Sequence, residues 1–411
     1  MSEELKSETT IWSKNFIIIT LINFLIFFSF QMLIAPFSIY IKNLGGADSI
    51  IGLVTGVLTV SAVIARPTTG IILDKRGRRN VFLIGLALFI LAIFLYSWTS
   101  AIAILLLFRL IHGFGWGVSG TAASTIATDN LPRKRFGEGM GYFSLAASLA
   151  MAIGPAVGLT MVAESSFNIL FYVSAGIGLI ALLLSLTIKY DKSGVQEPAK
   201  AAAKISISAS AQAPAEASVR SSLFEKTAYK PTLIIFFVTI TYGTITSFLA
   251  LYAAEKGINN IGIFFAVFAS SLLASRPVFG RIVDKHGFNL ATIPGLLCIL
   301  VGVFLLSQAQ SLMMFILVAV IYGIGFGAAQ ASLQTMAVIN APKHRLGAAN
   351  ATFFTGFDSG IGLGAVIMGA VASAVGYSQM YLWTIAAIVI AFVLFLTLPN
   401  KEPVRGAEGS N

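Results

Sequence analysis

Long hydrophobic runs separated by short polar loops dominate this chain. They lie near 15–41, 49–73, 80–98, 101–127, 137–162, 167–188, 230–254, 259–283, 289–308, 311–338, 346–372 and 378–399. Most are close to the roughly 20 residues that a helix needs to cross a bilayer, and their apolar residues do not alternate as in membrane strands. The pattern predicts an all-α integral membrane protein with twelve transmembrane helices. Its first run is too long for a signal peptide and is read as an uncleaved span.

One polar segment interrupts the series of hydrophobic runs. Residues 190–229 are rich in Ala, Ser, Pro and Lys and offer little to a hydrophobic core, as is typical of flexible linkers. The segment divides the spans into six and six. We therefore predict an N-terminal six-helix bundle at 1–189, a cytoplasmic linker at 190–229 and a C-terminal six-helix bundle at 230–411.

Composition and charge support a membrane protein and exclude several function classes. The chain is 57% hydrophobic and 11% charged, whereas soluble proteins carry roughly 25% charged residues. Most of its 27 basic residues fall in loops on one side of the membrane, which predicts cytoplasmic termini in a cell-membrane protein. The net charge of +10 then reflects topology rather than nucleic-acid binding. A single cysteine and three scattered histidines suggest neither a metal site nor another bound cofactor.

The two halves of the sequence repeat each other. The stretch RPTTGIILDKRGRR at 66–79 returns 210 residues later as RPVFGRIVDKHG at 276–287. The same shift brings the glycines at 113, 115 and 117 onto those at 323, 325 and 327. This shared register predicts a parallel repeat, with two bundles related by an axis along the membrane normal.

These features resemble the major facilitator superfamily of secondary transporters, in particular its drug and metabolite:proton antiporters. Three motifs carry the resemblance: Gly70-x-x-x-Asp74-Lys75-x-Gly77-Arg78-Arg79, Arg109-x-x-x-Gly113 and, in part, Gly154-Pro155-x-x-Gly158. It implies a monomer in lipid that exports a small organic solute by proton antiport and alternating access. A symporter or facilitator of the same fold is one alternative, and a polytopic membrane receptor or enzyme is another. The chain has no GxxxxGK[ST] motif for ATP.

The resemblance also assigns residues to gating. We expect Asp74 to meet the positive start of span eleven and latch the two halves together, with Gly70 allowing close helix contact. Arg78 or Arg79 should reach Asp129, although basic residues here could serve only membrane topology. The full gating set is Gly70, Asp74, Gly77, Arg78, Arg79, Asp129, Gly154, Pro155, Gly158, Gly280, Asp284 and Gly287.

Four residues inside the spans are candidates for proton coupling. Arg109 lies about 12 Å deep in span four, where a charge is costly; it could instead be a structural arginine bonded to carbonyls. His112 could titrate near neutral pH or remain a neutral hydrogen-bonding group. Asp358, in span eleven, could exchange a proton or stay ionised. The superfamily's architecture places span two against span eleven, and from the similar helix depths of Arg66 and Asp358 we predict an ion pair between the halves, which protonation of Asp358 loosens.

The substrate-binding candidates follow from the superfamily's architecture, in which spans one, four, seven and ten line a central cavity. They are Asn23, Gln31, Trp116, Tyr242, Tyr322, Gln330 and Gln334, each of which could instead serve only packing. Arg276 of span eight is a further candidate. The position that matches Asp358 in the first half is Ser148, so Arg276 should be free for a substrate anion or backbone carbonyls. Three arginines against one aspartate inside the membrane predict better handling of neutral, zwitterionic or acidic solutes than of lipophilic cations.

Overall fold

The computed structural model describes residues 11–132, 135–188, 190, 224–339, 341 and 346–398, and within these ranges it contains helices and no strands. Ten helices are separate: α1 Lys14–Asn43, α2 Asp48–Arg76, α3 Arg78–Leu95, α4 Ile102–Asp129, α5 Phe136–Glu164, α6 Phe167–Ser185, α7 Tyr229–Glu255, α8 Gly262–His286, α9 Asn289–Ser307 and α10 Leu312–Ile339. Short 3₁₀ turns lie at Tyr96–Trp98 and Lys226–Ala228.

The last helical stretch, Leu346–Thr397, comprises two transmembrane helices. It is 52 residues long and is broken at Gly376, where φ is 80° and ψ is 169°. An unbroken helix of that length would extend roughly 78 Å, more than twice the hydrocarbon thickness of a bilayer. We therefore divide it into α11 at 346–375 and α12 at 377–397. With this division the described residues contain the twelve transmembrane helices that the sequence predicts.

Glycines end the two helices that precede the charged loops. Gly77 follows α2 with a φ of 82°, and Gly287 follows α8 with a φ of 84°. A left-handed backbone is strained for residues with a Cβ and open to glycine. The glycine of each DK-x-G sequence thus ends its helix, and it does so at equivalent positions in the two halves.

The packing confirms the internal repeat residue by residue. A Cβ on Gly113 would collide with the backbone carbonyl of Leu58, and one on Gly323 would meet the carbonyl of Phe268. Both partners, like both glycines, are 210 residues apart. The same correspondence relates Gly117 and Ala62 to Gly327 and Leu272. Glycine therefore lets α4 lie backbone to backbone on α2, and α10 on α8, in the same register.

The two bundles meet mainly where α2 packs along α11 and α5 along α8, with a smaller contact of α1 on α7. We call the membrane face that carries Gly77 and Gly287 the inner face, which the sequence predicts to be cytoplasmic, and the opposite one the outer face. Most of the predicted linker lies outside the described residues. Within it, the backbone NH of Glu225 donates to Thr352 Oγ1 on α11 at 2.9 Å. Residues 224–229 therefore pack with the C-terminal bundle.

Candidate functional site

A cavity lies between the bundles and receives side chains from both. It encloses about 670 Å³ of free space, including the part that is continuous with solvent. Five of the predicted site residues line it: Gln31, Arg109, Trp116, Tyr242 and Asp358. The remaining walls are Phe27, Phe30, Ile34, Thr55, Leu58, Thr59, Ala62, Met151, Phe357 and Ile361. Helices α1, α2, α4, α5, α7 and α11 thus contribute to it.

Aromatic rings form much of the cavity wall. The ring of Phe30 stacks on Trp116 with centroids 4.0 Å apart, and Phe27 meets Trp116 edge-on at 4.6 Å. Tyr242 and Phe357 face them from the C-terminal bundle. Gln31 Nε2 donates to the Tyr242 hydroxyl at 3.1 Å and so joins the two bundles. Rings with a few polar groups among them are typical of sites for small organic ligands.

An ion pair links the two bundles beside this cavity. Arg66 Nη2 on α2 donates to Asp358 Oδ2 on α11 at 2.5 Å. The side chains are 18% and 16% exposed, so solvent screens the pair only partly. The predicted contact between Arg66 and Asp358 is confirmed. A buried charge left without its partner is strongly destabilising, so the pair fixes the spacing of α2 and α11 at this depth.

Among the described residues, Arg109 contacts aromatic rings and neither an acid nor a backbone carbonyl. Its guanidinium carbon lies 3.7 Å from the ring centroid of Phe37 and 5.4 Å from that of Tyr96. Its interacting polar neighbour is the Tyr96 side chain, and its buried Nε has no hydrogen-bond partner. The expected alternative, an arginine bonded to carbonyls, is therefore not what the structure contains.

His112 does not line the cavity. It is fully buried, with Nδ1 2.8 Å from the Tyr96 hydroxyl, and its ring contacts those of Phe30 and Phe89. Its Nε2 is buried without a partner. The histidine therefore lies behind the cavity wall, against the ring of Phe30, and Tyr96 contacts both it and Arg109.

Several predicted substrate-binding residues make structural contacts instead. Asn23 Nδ2 donates to the Phe143 carbonyl at 3.1 Å and joins α1 to α5. The Tyr322 hydroxyl lies 2.9 Å from Thr241 Oγ1. None of the lining residues comes from α10, where Gln334 is half-buried. In this state α10 is therefore not a wall of the cavity, contrary to the expectation for span ten.

Arg276 also has a partner that the sequence does not predict. Its Nη2 donates to Gln330 Oε1 on α10 at 2.9 Å. The two predicted ligands therefore bind each other, and the expectation that Arg276 would be free for carbonyls or a substrate anion is wrong for this state. The buried Nε of Arg276 has no hydrogen-bond partner among the described residues.

The sequence reasoning missed the contribution of α2 to the cavity. Thr55, Thr59 and Ala62 line it and precede Arg66 at helical spacing, so the four residues share one face of α2. Thr55 Oγ1 lies 3.3 Å from Ser247 Oγ on α7. Their helical spacing from Arg66 could have predicted this, because the face of α2 that carries an arginine paired across the interface must also face the other bundle.

The outer face is closed by contacts between the bundles. The Tyr377 hydroxyl donates to Asp48 Oδ1 at 2.7 Å, and the same oxygen accepts from Lys42 Nζ at 2.8 Å. The backbone NH of Ser49 donates to Ser373 Oγ at 3.0 Å. Below them, a Cβ on Gly52 would collide with the backbone of α11. The outer halves of α2 and α11 therefore touch without a gap.

At the inner face the described residues show fewer contacts between the bundles. A Cβ on Gly70 or Gly280 would meet no described atom within 4 Å, so the expected close helix contact at Gly70 is not found among the described residues. The Asp74 and Asp284 side chains, and residues 342–345 before α11, lie outside what the structure describes, and the predicted latch stays a prediction. The part of the chain that the structure describes is thus closed at the outer face.

The remaining gating candidates lie within the N-terminal bundle. Arg78 Nε donates to Asp129 Oδ2 at 3.0 Å, which confirms that predicted pair, while Arg79 is exposed. A Cβ on Gly154 would collide with the Gln31 side chain, and one on Gly158 with the Met32 carbonyl. The buried Pro155 lies between them on α5. This motif therefore sets how closely α5 approaches the cavity-lining part of α1.

Comparisons with known proteins agree with this architecture. The sequence profile of the Major Facilitator Superfamily matches residues 19–365. An uncharacterised MFS-type transporter of Methanocaldococcus jannaschii is 28% identical over 89% of this chain and 93% of its own. The quinolone resistance protein NorA of Staphylococcus aureus is 29% identical, but the match spans 41% of this chain and only 43% of NorA. The solved bacterial homologue of the human lysosomal transporter Spinster, inward-facing and occupied, superposes with a TM-score of 0.76 at 17% identity, covering 93% of this chain and 95% of its own.

Proposed function

This chain belongs to the Major Facilitator Superfamily of membrane transporters, and we propose that it exports a small organic solute in exchange for protons. In this proposal it acts as a monomer in the cell membrane, with both termini in the cytoplasm. The solute enters the cavity from the inner face and leaves at the outer one. Protons move in the opposite direction through Asp358.

The ion pair between Arg66 and Asp358 is the observation that supports this proposal. Asp358 is the one carboxylate among the described lining residues of the cavity, and its partner belongs to the other bundle. Protonation removes the negative charge and with it the electrostatic attraction between α2 and α11. One proton on the Asp358 carboxylate therefore changes the attraction between the two bundles, which must move relative to each other in alternating access.

The remaining contacts divide into those that must break and those that persist. Opening the outer face requires the Asp48–Tyr377 and Ser49–Ser373 hydrogen bonds to break and α2 to separate from α11. The glycine contacts of α4 on α2 lie within one bundle and can stay intact. In the proposed cycle each bundle moves as a body, and the ion pair lies between the outer contacts that open and the inner face that closes.

Transport into everted membrane vesicles tests the direction of coupling. Because the inner face of the protein then faces the medium, an antiporting exporter accumulates solute when the vesicle interior is acidic. A fluorescent quinolone is a reasonable first probe, given the name of the partial relative NorA. We expect uptake that nigericin abolishes by collapsing the pH gradient. Uptake driven by an alkaline interior would indicate symport, and uptake indifferent to the gradient would indicate a facilitator.

A further inference from the structure

The net charge of the cavity lining indicates which class of solute the cavity binds. One basic and one acidic side chain line it, Arg109 and Asp358, and the charge of Asp358 is already paired with that of Arg66 at 2.5 Å. With all three groups ionised, the site therefore keeps one uncompensated positive charge. That charge is on Arg109.

No acid among the described residues compensates Arg109. The ion pairs found there are Lys42–Asp48, Arg66–Asp358, Arg78–Asp129 and Lys256–Glu255. Arg109 is 3% exposed and touches ring faces and a tyrosine, and its buried Nε has no partner. A buried cation without a counter-ion is unfavourable, and attraction to rings offsets only part of that cost. An anion that enters the cavity would supply the counter-ion that Arg109 lacks among the described residues.

The internal repeat argues against a purely structural role for this arginine. The position that corresponds to Arg109 after the shift of 210 residues is Ala319 on α10. Ala319 is buried in the equivalent place without any charge. The fold can therefore be built at this position with a small apolar residue. By contrast, Arg66 is matched by Arg276, and both have partners.

The side chains of the cavity walls indicate the chemistry of the rest of the ligand. Phe27, Phe30 and Trp116 lie on one side, with Tyr242 and Phe357 on the other. Stacked and edge-on rings favour a flat aromatic body. We propose that the exported solute is a flat aromatic carboxylate, with its ring between these walls and its carboxylate on the Arg109 guanidinium. This inference rests on the proposed export function, because it names the solute class for the same cavity.

Three probes of one shape test the charge requirement: 2-naphthoate, neutral 2-naphthamide and cationic 2-naphthylmethylammonium. Isothermal titration calorimetry on the full chain in detergent measures binding without any need for proton coupling. We expect 2-naphthoate to bind at least about tenfold more tightly than the amide, and the ammonium compound not to bind. A good charge-assisted hydrogen bond to a buried group is worth at least that factor.

Substitutions of Arg109 assign the effect to its charge. Arg109→Gln should lose at least tenfold in naphthoate affinity and leave naphthamide unchanged, while Arg109→Lys should keep part of the preference. The wild-type comparison of the three probes carries the test even if Arg109→Gln does not fold.

Three results would overturn the inference: equal affinity for naphthoate and amide, tighter binding of the ammonium compound, or no binding of any probe. Naphthoate binding in a protein whose transport ignores pH gradients would leave the inference standing and reject only the proton coupling.

Discussion

Removing Arg66 should damage this protein more than removing Arg66 and the charge of Asp358 together. In Arg66→Ala the Asp358 carboxylate stays at the edge of an aromatic cavity without its partner at 2.5 Å. Breaking a buried pair in this way costs roughly 3–5 kcal/mol, and we expect the lower end because both side chains are partly exposed. In the double variant with Asp358→Asn the stranded charge is gone, so much of that loss should be recovered.

The assay is a double-mutant cycle on thermal unfolding of the purified protein in detergent. Arg66→Ala, Asp358→Asn and their combination are compared with the wild type near pH 7.5. The Arg66→Ala defect should shrink at low pH, because protonation makes the stranded carboxyl neutral. A matched control is the Arg78–Asp129 pair, whose aspartate is 47% exposed and whose coupling should stay within about 1 kcal/mol. Additivity of the Arg66 and Asp358 variants would refute the reasoning.

The other contacts lead to three further predictions. In a chain with Cys298→Ala, oxidation of Ser49→Cys with Ser373→Cys should cross-link the outer face and stop transport until a reductant is added; unaffected transport would mean that this face need not open. Asp74→Asn should cripple transport while membrane insertion, followed by fractionation, stays normal, and Asp284→Asn should do less because Phe288 and Asn289 replace the arginines of the first loop; equal losses would contradict this. Gly113→Ala should lower the melting temperature markedly, because its Cβ would strike the Leu58 carbonyl. Gly70→Ala, whose added Cβ would meet no described atom within 4 Å, should melt like the wild type. Similar melting temperatures for Gly113→Ala and Gly70→Ala would count against the packing argument.

The ion pair shows how much of this site sequence reasoning can reach. Helix depth, with the contact between spans two and eleven that the family resemblance implies, placed Arg66 opposite Asp358, because both positions are counted from helix ends that the sequence marks clearly. The twelve helices follow from the hydrophobic runs alone, including the last two, which the fold joins across Gly376. Such features depend on position along a helix axis. The sequence gives this position directly, because each residue advances the helix by about 1.5 Å.

The errors concern rotation about the helix axis and the state of the transporter. Whether Gln330 faces a cavity or Arg276 depends on how α10 is turned against α8, and a mostly apolar helix carries little signal for that. A transporter passes through several conformations, and one sequence must serve all of them. Sequence can therefore propose contacts without saying which of them coexist.

Vesicle transport by Asp358→Asn tests the central claim most directly. The claim is that Asp358 couples solute movement to protons. Glu164→Gln is the matched control, since it makes the same change from carboxylate to amide at an exposed residue at the outer end of α5. We predict that Asp358→Asn loses accumulation driven by a pH gradient but still exchanges labelled for unlabelled solute across the membrane, while Glu164→Gln keeps both. Gradient-driven accumulation at the wild-type level in Asp358→Asn would contradict the account.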